Sequence, residues 1–296
     1  MNHRSIYLRS FLFAILVFSL PTTCFSFAYK TVTEDNRIVS ASQDLPAITW
    51  NSKNVSFTLD FNDSRFIDDM VYAMQEWNGV EADLNLTEGD VYAELCNDKD
   101  GVNHITMTSD NCGEVFGDIL GTTRIRSVEI GNNNYIIDSD IRFQQFTREE
   151  DRWATSDEYQ ENKFQESKLC YRNANGGKTC DFYRVALHEL GHAIGLGHPD
   201  ELGQRHSAVM NRGANRLSKP FTLSEDDKAA IAYLYPPNRN ASALTGGEGL
   251  PNGVSISATG NEESTGVGSF SFPVLLILLF SFYAAKSRKT RSPYSN

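Results

Sequence analysis

Three of the chain's six histidines fall within eleven residues, His188-Glu189-Leu190-Gly191-His192-Ala193-Ile194-Gly195-Leu196-Gly197-His198, a density that points to a shared task. On an α-helix, residues four apart lie one turn above each other on the same face, so His188 and His192 can bind one cation together. Glu189 stands beside the first of them and can reach a water on that cation without being a ligand itself. A straight helix does not bring residue 198 to the same point. Gly195 can take the positive-φ conformation that ends the helix and turns the chain back, which lets His198 complete the set. Three neutral imidazoles leave a fourth tetrahedral position open for water, the mark of a catalytic rather than a structural zinc site. Zinc lowers the pKa of such a water toward neutrality and polarises a carbonyl. Glu189 is then placed as general base, taking the water's proton and delivering it to a leaving amine.

The elements that must position these groups are legible on either side. A helix is predicted over residues 181–194 with Asp181 as its cap, and another over 64–78, where Phe66, Met70, Met74 and Trp77 recur at helical spacing and Ser64 offers a cap. A third runs over about 224–234, opened by Ser224-Glu225-Asp226-Asp227, whose acidic side chains suit a helix N-terminus. Alternating or short apolar runs predict strands at 48–50, 55–59, 91–95, 104–108, 119–126 and 135–143. Residues 147–180 are charged and rich in Gly and Asn, and read mostly as a long surface excursion, with Arg148-Glu149-Glu150-Asp151-Arg152 as a solvated run.

The whole chain sets the address. A net charge of −11 argues against nucleic-acid binding, which needs clustered Lys and Arg. Residues 1–28 have a positive start, a short apolar run at 11–20 and small residues, the layout of a signal peptide cut after Ser26 or Ala28. A short polar segment, 29–45, precedes a catalytic domain placed at 46–236. A linker rich in Gly, Ser, Thr and Asn follows over 237–268. Residues 267–285 are uncharged and long enough to span a bilayer, and the basic tail 286–296 then lies in the cytoplasm by the positive-inside rule. The expected partners are therefore a protein or peptide substrate and a membrane. Of five cysteines, Cys24 leaves with the signal peptide. Proximity favours Cys96–Cys112 and Cys170–Cys180, although four cysteines allow three connectivities.

The motif resembles that of the metzincins, H-E-x-x-H-x-x-G-x-x-H followed by a methionine-containing turn. Ser207-Ala208-Val209-Met210 is similar to that turn and would set Met210 beneath the metal as an apolar floor. Within the metzincins the chain looks most like a matrixin catalytic domain. The segments that carry the likeness are Asp181-Phe182-Tyr183-Arg184-Val185-Ala186-Leu187, Ile137-Asp138-Ser139-Asp140-Ile141-Arg142-Phe143 and Leu223-Ser224-Glu225-Asp226-Asp227. Leu120-Gly121-Thr122-Thr123 resembles the strand that borders the substrate cleft, whose free backbone groups would pair with an extended peptide. The resemblance implies an α+β fold with a twisted, mixed five-stranded sheet, three helices and an active-site helix leading to the methionine turn. It implies a zinc-dependent endopeptidase outside the cytoplasm.

There are departures. Twelve residues separate His198 from Met210, more than vertebrate matrixins usually have, and His206 lies in the extra loop. The Pro and Tyr that commonly follow the methionine are absent from Asn211-Arg212-Gly213, so the specificity pocket does not carry over. The histidines of the family's structural zinc site are missing and a second zinc is not implied. Asp98, Asp100, Asp138 and Asp140 are the candidate calcium donors, weighed against simple solvated turns. No cysteine-switch propeptide is visible before residue 46. The order of Gly/Ser-rich segment, apolar span and basic tail also resembles bacterial envelope-sorting tails of the GlyGly-CTERM kind. Two other readings stay open: a zinc-bearing binding or adhesion module without turnover, and a protease of another metzincin branch.

Overall fold

The computed structural model describes residues 27–33, 37–41, 45–90, 95–161, 169–204, 207–212, 222–239 and 265–268. Nearly all of the signal-like segment, most of the linker, all but the first two residues of the 267–285 span, the basic tail, His206, Gly213 and residues 91–94 of one expected strand lie outside them. Among the described residues no helix is long and apolar enough to cross a membrane.

Strands β1 (Tyr29–Val32) and β2 (Ile38–Ala41) form an antiparallel hairpin in the stretch read as a polar lead-in. Tyr29 and Thr31 are buried, and the Lys30 amide donates to the Gly195 carbonyl at 2.7 Å. The Gly197 amide donates to Ala28 at 3.0 Å. The packed body therefore reaches back ahead of residue 46. A cut after Ser26 preserves these contacts and one after Ala28 removes the last.

The main sheet is built as its periodicity demands. In β4 (Asn54–Asp60), Val55 and Phe57 point inward while Asn54 and Ser56 face solvent. It pairs in parallel with β5 (Asn85–Gly89) on one side and β6 (His104–Thr108) on the other. β6 pairs in parallel with β8 (Asn133–Gln144), and β7 (Ile119–Ile130) runs antiparallel to β8 along its outer edge. The sheet is mixed as expected, but β5 falls at 85–89, ahead of the strand expected at 91–95, and the strands number more than five. Two short strands enlarge it to seven: β3 (Ile48–Trp50) lies parallel to the start of β8, and β12 (Thr265–Gly268) pairs antiparallel with β7 between Ile119 and Thr123.

Helix α1 (Ser64–Asn78) has the predicted limits, but its cap is Asp63, whose carboxylate accepts from the Arg65 amide at 3.0 Å. A carboxylate is a stronger acceptor than the Ser64 hydroxyl and suits the positive end of the helix dipole. The main correction falls on 147–180. Strands β9 (Arg152–Ala154), β10 (Cys170–Arg172) and β11 (Lys178–Asp181) form a second sheet ordered β10-β11-β9, and α2 (Ser156–Glu161) follows β9. Trp153, directly after the charge run, is the anchor: its ring meets those of Phe143 and Phe182 edge-on. Both expected disulfides are present, and Cys170 and Cys180 stand opposite each other in the β10–β11 pair.

Helix α3 (Phe182–Ala193) carries the histidine motif and is buried along almost its whole length between the sheet and α1. Asp181 caps it, accepting from the Arg184 amide at 3.1 Å, with the Arg184 guanidinium 2.7 Å from the same carboxylate. Helix α4 (Glu225–Leu234) opens on a reciprocal capping box between Ser224 and Asp227.

Candidate active site

The end of α3 is shaped by backbone bonding. The Gly195 amide donates to His192 at 2.8 Å and the Leu196 amide to Gly191 at 2.9 Å, the pair of bonds of a Schellman turn. Gly195 has φ +91°, as anticipated, and an added Cβ would also stand 2.4 Å from the Ile48 carbonyl. Aromatic side chains receive the last carbonyls. Trp50 Nε1 donates to Ala193 at 2.9 Å and the Tyr235 hydroxyl to Ile194 at 2.7 Å, while Trp77 Nε1 binds Leu187 at 3.0 Å.

That turn brings the three imidazoles together. His198 Nε2 lies 2.9 Å from His192 Nε2 and 3.2 Å from His188 Nε2, and all three residues are fully buried. The opposite ring nitrogens fix the tautomers. His188 Nδ1 faces the Val209 carbonyl at 2.7 Å and His192 Nδ1 the Leu196 carbonyl at 2.9 Å. A carbonyl only accepts, so each Nδ1 carries the proton and each Nε2 presents a lone pair. Converging lone pairs repel unless a cation lies among them. Nitrogens bound tetrahedrally to zinc at about 2.0–2.1 Å sit about 3.3 Å apart, so the donor set fits such an ion. Among the described residues these three are the group of His, Cys, Asp or Glu side chains whose donor atoms gather closely enough to hold a metal.

Glu189 is buried beside this point. Its Oε2 accepts from the Thr123 hydroxyl on β7 at 2.7 Å. Gly121 on the same strand leaves room for it: a Cβ there would lie 2.9 Å from Glu189 Cγ. Met210 is buried under the helix. A Cβ at Gly191 would meet Met210 Sδ at 2.2 Å, so the small residue inside the motif makes space for the sulfur. The turn before Met210 is held by Asp227, whose carboxylate accepts from the Val209 amide at 2.9 Å and the Met210 amide at 3.2 Å. Burial pushes the Asp227 carboxyl above the usual carboxylate range, and its hydrogen bonds oppose that shift.

The four aspartates considered for calcium do not form a comparable set. Asp98 is paired with Arg142 and, at 2.9 Å, with Arg124. Asp140 lies 3.4 Å from Arg142 and accepts from the His104 amide at 3.0 Å. Asp138 accepts from the Gly101 amide at 3.1 Å, and Asp100 closes a local turn onto Val102 at 2.9 Å. Burial pushes Asp138 up to about 7 and Asp140 up to about 9, Asp138 adding like charge to the latter. Arg124 and Arg142 supply counter-charge to Asp98, and Arg142 to Asp140.

The three histidines and the residues behind them form a site of the kind that can hold a catalytic metal. Residues 121–236 match the family model described as Matrixin, peptidase M10. The chain is 41% identical over 58 residues to metalloendoproteinase 1-MMP of Arabidopsis thaliana, covering 20% of this chain and 15% of that protein. It is 34% identical over 110 residues to the interstitial collagenase of Oryctolagus cuniculus, covering 37% of this chain and 17% of that protein. The chain thus spans 15–17% of the length of the curated relatives it matches. Among solved structures, myroilysin aligns over 70% of this chain and 98% of its own at 13% identity, with a TM-score of 0.32, too loose to argue from.

Several side chains that hold the site were read from sequence for another role or not singled out at all. In the sequence Thr123 and Gly121 carry only the signal of an edge strand, and Asp227 only that of a helix-opening acid. Trp50, Tyr235, Ser40 and Glu201 carry no local signal, because their partners lie far along the chain.

Proposed function

We propose that this protein is a zinc-dependent endopeptidase that hydrolyses peptide bonds with Glu189 as general base. The observation that carries the reading is the convergence of three imidazole lone pairs on one buried point with the Glu189 carboxylate beside it. Zinc, when held by His188, His192 and His198, supplies Lewis acidity toward the scissile carbonyl and lowers the pKa of water. The chain's own residues do the rest. Glu189 accepts a proton and returns it to the leaving amine, and Thr123 keeps the Glu189 carboxylate turned toward the β7 edge. An extended peptide would bind along that edge as an added strand. The antiparallel pairing of β12 with Ile119–Thr123 supports this, since it marks the edge as open to such an addition.

The location is part of the proposal: export by residues 1–26, and attachment to the membrane through 267–285 with the basic tail inside. Intact-mass analysis of the protein from its native membranes reports both termini and any bound metal together. For the activity, the purified chain is expected to carry zinc, to cleave an unfolded protein, and to stop on chelation. Glu189→Ala should keep the metal and lose cleavage. An Ala variant as active as the wild type would remove Glu189 from its role.

A further inference from the structure

We propose that Glu201 is a positioning residue for the third metal ligand, and that Ser40 on the N-terminal hairpin completes its hold on His198. This rests on the reading of His188, His192 and His198 as a metal site. Two of the three imidazoles are oriented by neutral backbone carbonyls. His198 differs, because among the described residues no carbonyl meets its buried Nδ1, and the charged group beside it is Glu201, whose Oε1 lies 3.2 Å away at an angle outside that of a hydrogen bond. Glu201 sits in the 3-10 turn Pro199–Leu202, three residues past the ligand.

Both oxygens of that carboxylate are fixed from outside the motif. Arg212, two residues after Met210, places Nη1 2.8 Å from Oε1. The Ser40 hydroxyl donates to Oε2 at 3.0 Å. The same hydroxyl accepts from the His198 backbone amide at 3.1 Å, so one side chain grips the ligand's main chain and the group that steers its ring. Space for this is reserved at Gly197, where a Cβ would stand 2.9 Å from Ser40 Oγ and 3.0 Å from the Tyr29 carbonyl.

The arrangement differs from a surface ion pair. Glu201 and Arg212 are partly exposed, and alone their contact would be worth little. His198 is fully buried, so Glu201 faces a ring that solvent does not reach. A carboxylate on the far nitrogen of a metal-binding histidine fixes the tautomer and raises the basicity of the ligating nitrogen, and loss of such partners typically weakens metal binding by 10–100-fold. The hairpin thereby becomes part of the metal site, about 160 residues upstream of the motif it serves.

The test is zinc affinity, measured on the full chain by competition with a chromophoric chelator, together with the visible spectrum of the cobalt(II)-substituted protein. Glu201→Gln should bind zinc on the order of tenfold or more weakly and shift the cobalt bands. Ser40→Ala should weaken binding several-fold, and the exposed Glu129→Gln should match wild type. Thermal melting of the metal-free proteins shows that each variant is folded, and Ser40→Ala carries the test if Glu201→Gln does not fold. Glu201→Gln, or in that case Ser40→Ala, with wild-type affinity and an unchanged cobalt spectrum overturns the inference and leaves the metal site standing. A wild-type chain that binds neither ion overturns both.

Discussion

The hydroxyl of Thr123 reaches Oε2 of Glu189 across 2.7 Å, joining the outermost long strand of the sheet to the helix that carries the metal ligands. Thr123 Oγ1 also lies 3.1 Å from the Glu189 carbonyl, so it contacts both the side chain and the backbone of the proposed base. Thr123→Val keeps the shape and removes the donor. Removing a hydrogen bond to an ionised carboxylate costs about 1.5–3 kcal/mol, and kcat/KM for a peptide should fall roughly ten- to a hundredfold. Zinc content measured on the same sample should not change, and Thr123→Ser should recover most of the activity.

The contact between Gly191 and Met210 yields a packing prediction. An alanine at 191 drives its Cβ against Met210 Sδ and comes within 3.0 Å of Trp77 Cζ2. Overpacking of this kind typically costs about 1–3 kcal/mol, and the midpoint of urea unfolding should drop accordingly. Met210→Ala alone opens a cavity. The double variant Gly191→Ala/Met210→Ala should lose less than the two single losses combined, because each change relieves the other.

Asp69 supplies a pH signature. Burial pushes its carboxyl up to about 6, against the pull of hydrogen bonds from Ser156. The unfolded chain releases this proton near its ordinary value of 3.8, while the folded chain holds it to about 6. Stability from this group is therefore full below the lower value, falls as pH rises between the two, and is level above. Asp69→Asn does not titrate. The advantage of wild type over that variant should shrink by roughly 2–3 kcal/mol between pH 4 and pH 7, in urea unfolding of the metal-free proteins.

The disulfides close loops of 16 and 10 residues. By the chain-entropy estimate each contributes about 3 kcal/mol. Reduction should lower the melting temperature measurably. Cys170→Ser/Cys180→Ser should loosen the β10–β11 pair first, seen as faster amide exchange at Tyr171 and Thr179.

Much of this architecture is written locally. Helix α1 showed in the spacing of Phe66, Met70, Met74 and Trp77, and the ends of α3 showed in Asp181 and Gly195, whose roles depend on immediate neighbours. The ligand set was legible for the same reason, since one turn of helix and one glycine generate it. What escaped the sequence is non-local. Trp153 stands at the end of a run of charges and shows its purpose only against Phe143 and Phe182. The β1–β2 hairpin reads as a lead-in because its partners are distant: Tyr29 and Ile38 enter the core, and the Lys30 amide binds Gly195. The four aspartates read as candidate calcium donors or solvated turns, and only the fold shows Arg124 and Arg142 beside Asp98 and Asp140.

The hairpin's bonds to residues 195–198 also govern timing. Tyr29 and Ser40 are among the first parts of the body to be made, and they wait for a turn about 160 residues later. The helix end they meet is closed in turn by Tyr235, near the last packed helix. Contacts this distant form late, after the loops between them have closed. The full set of contacts around the three histidines can therefore form only after the chain has been made past residue 235.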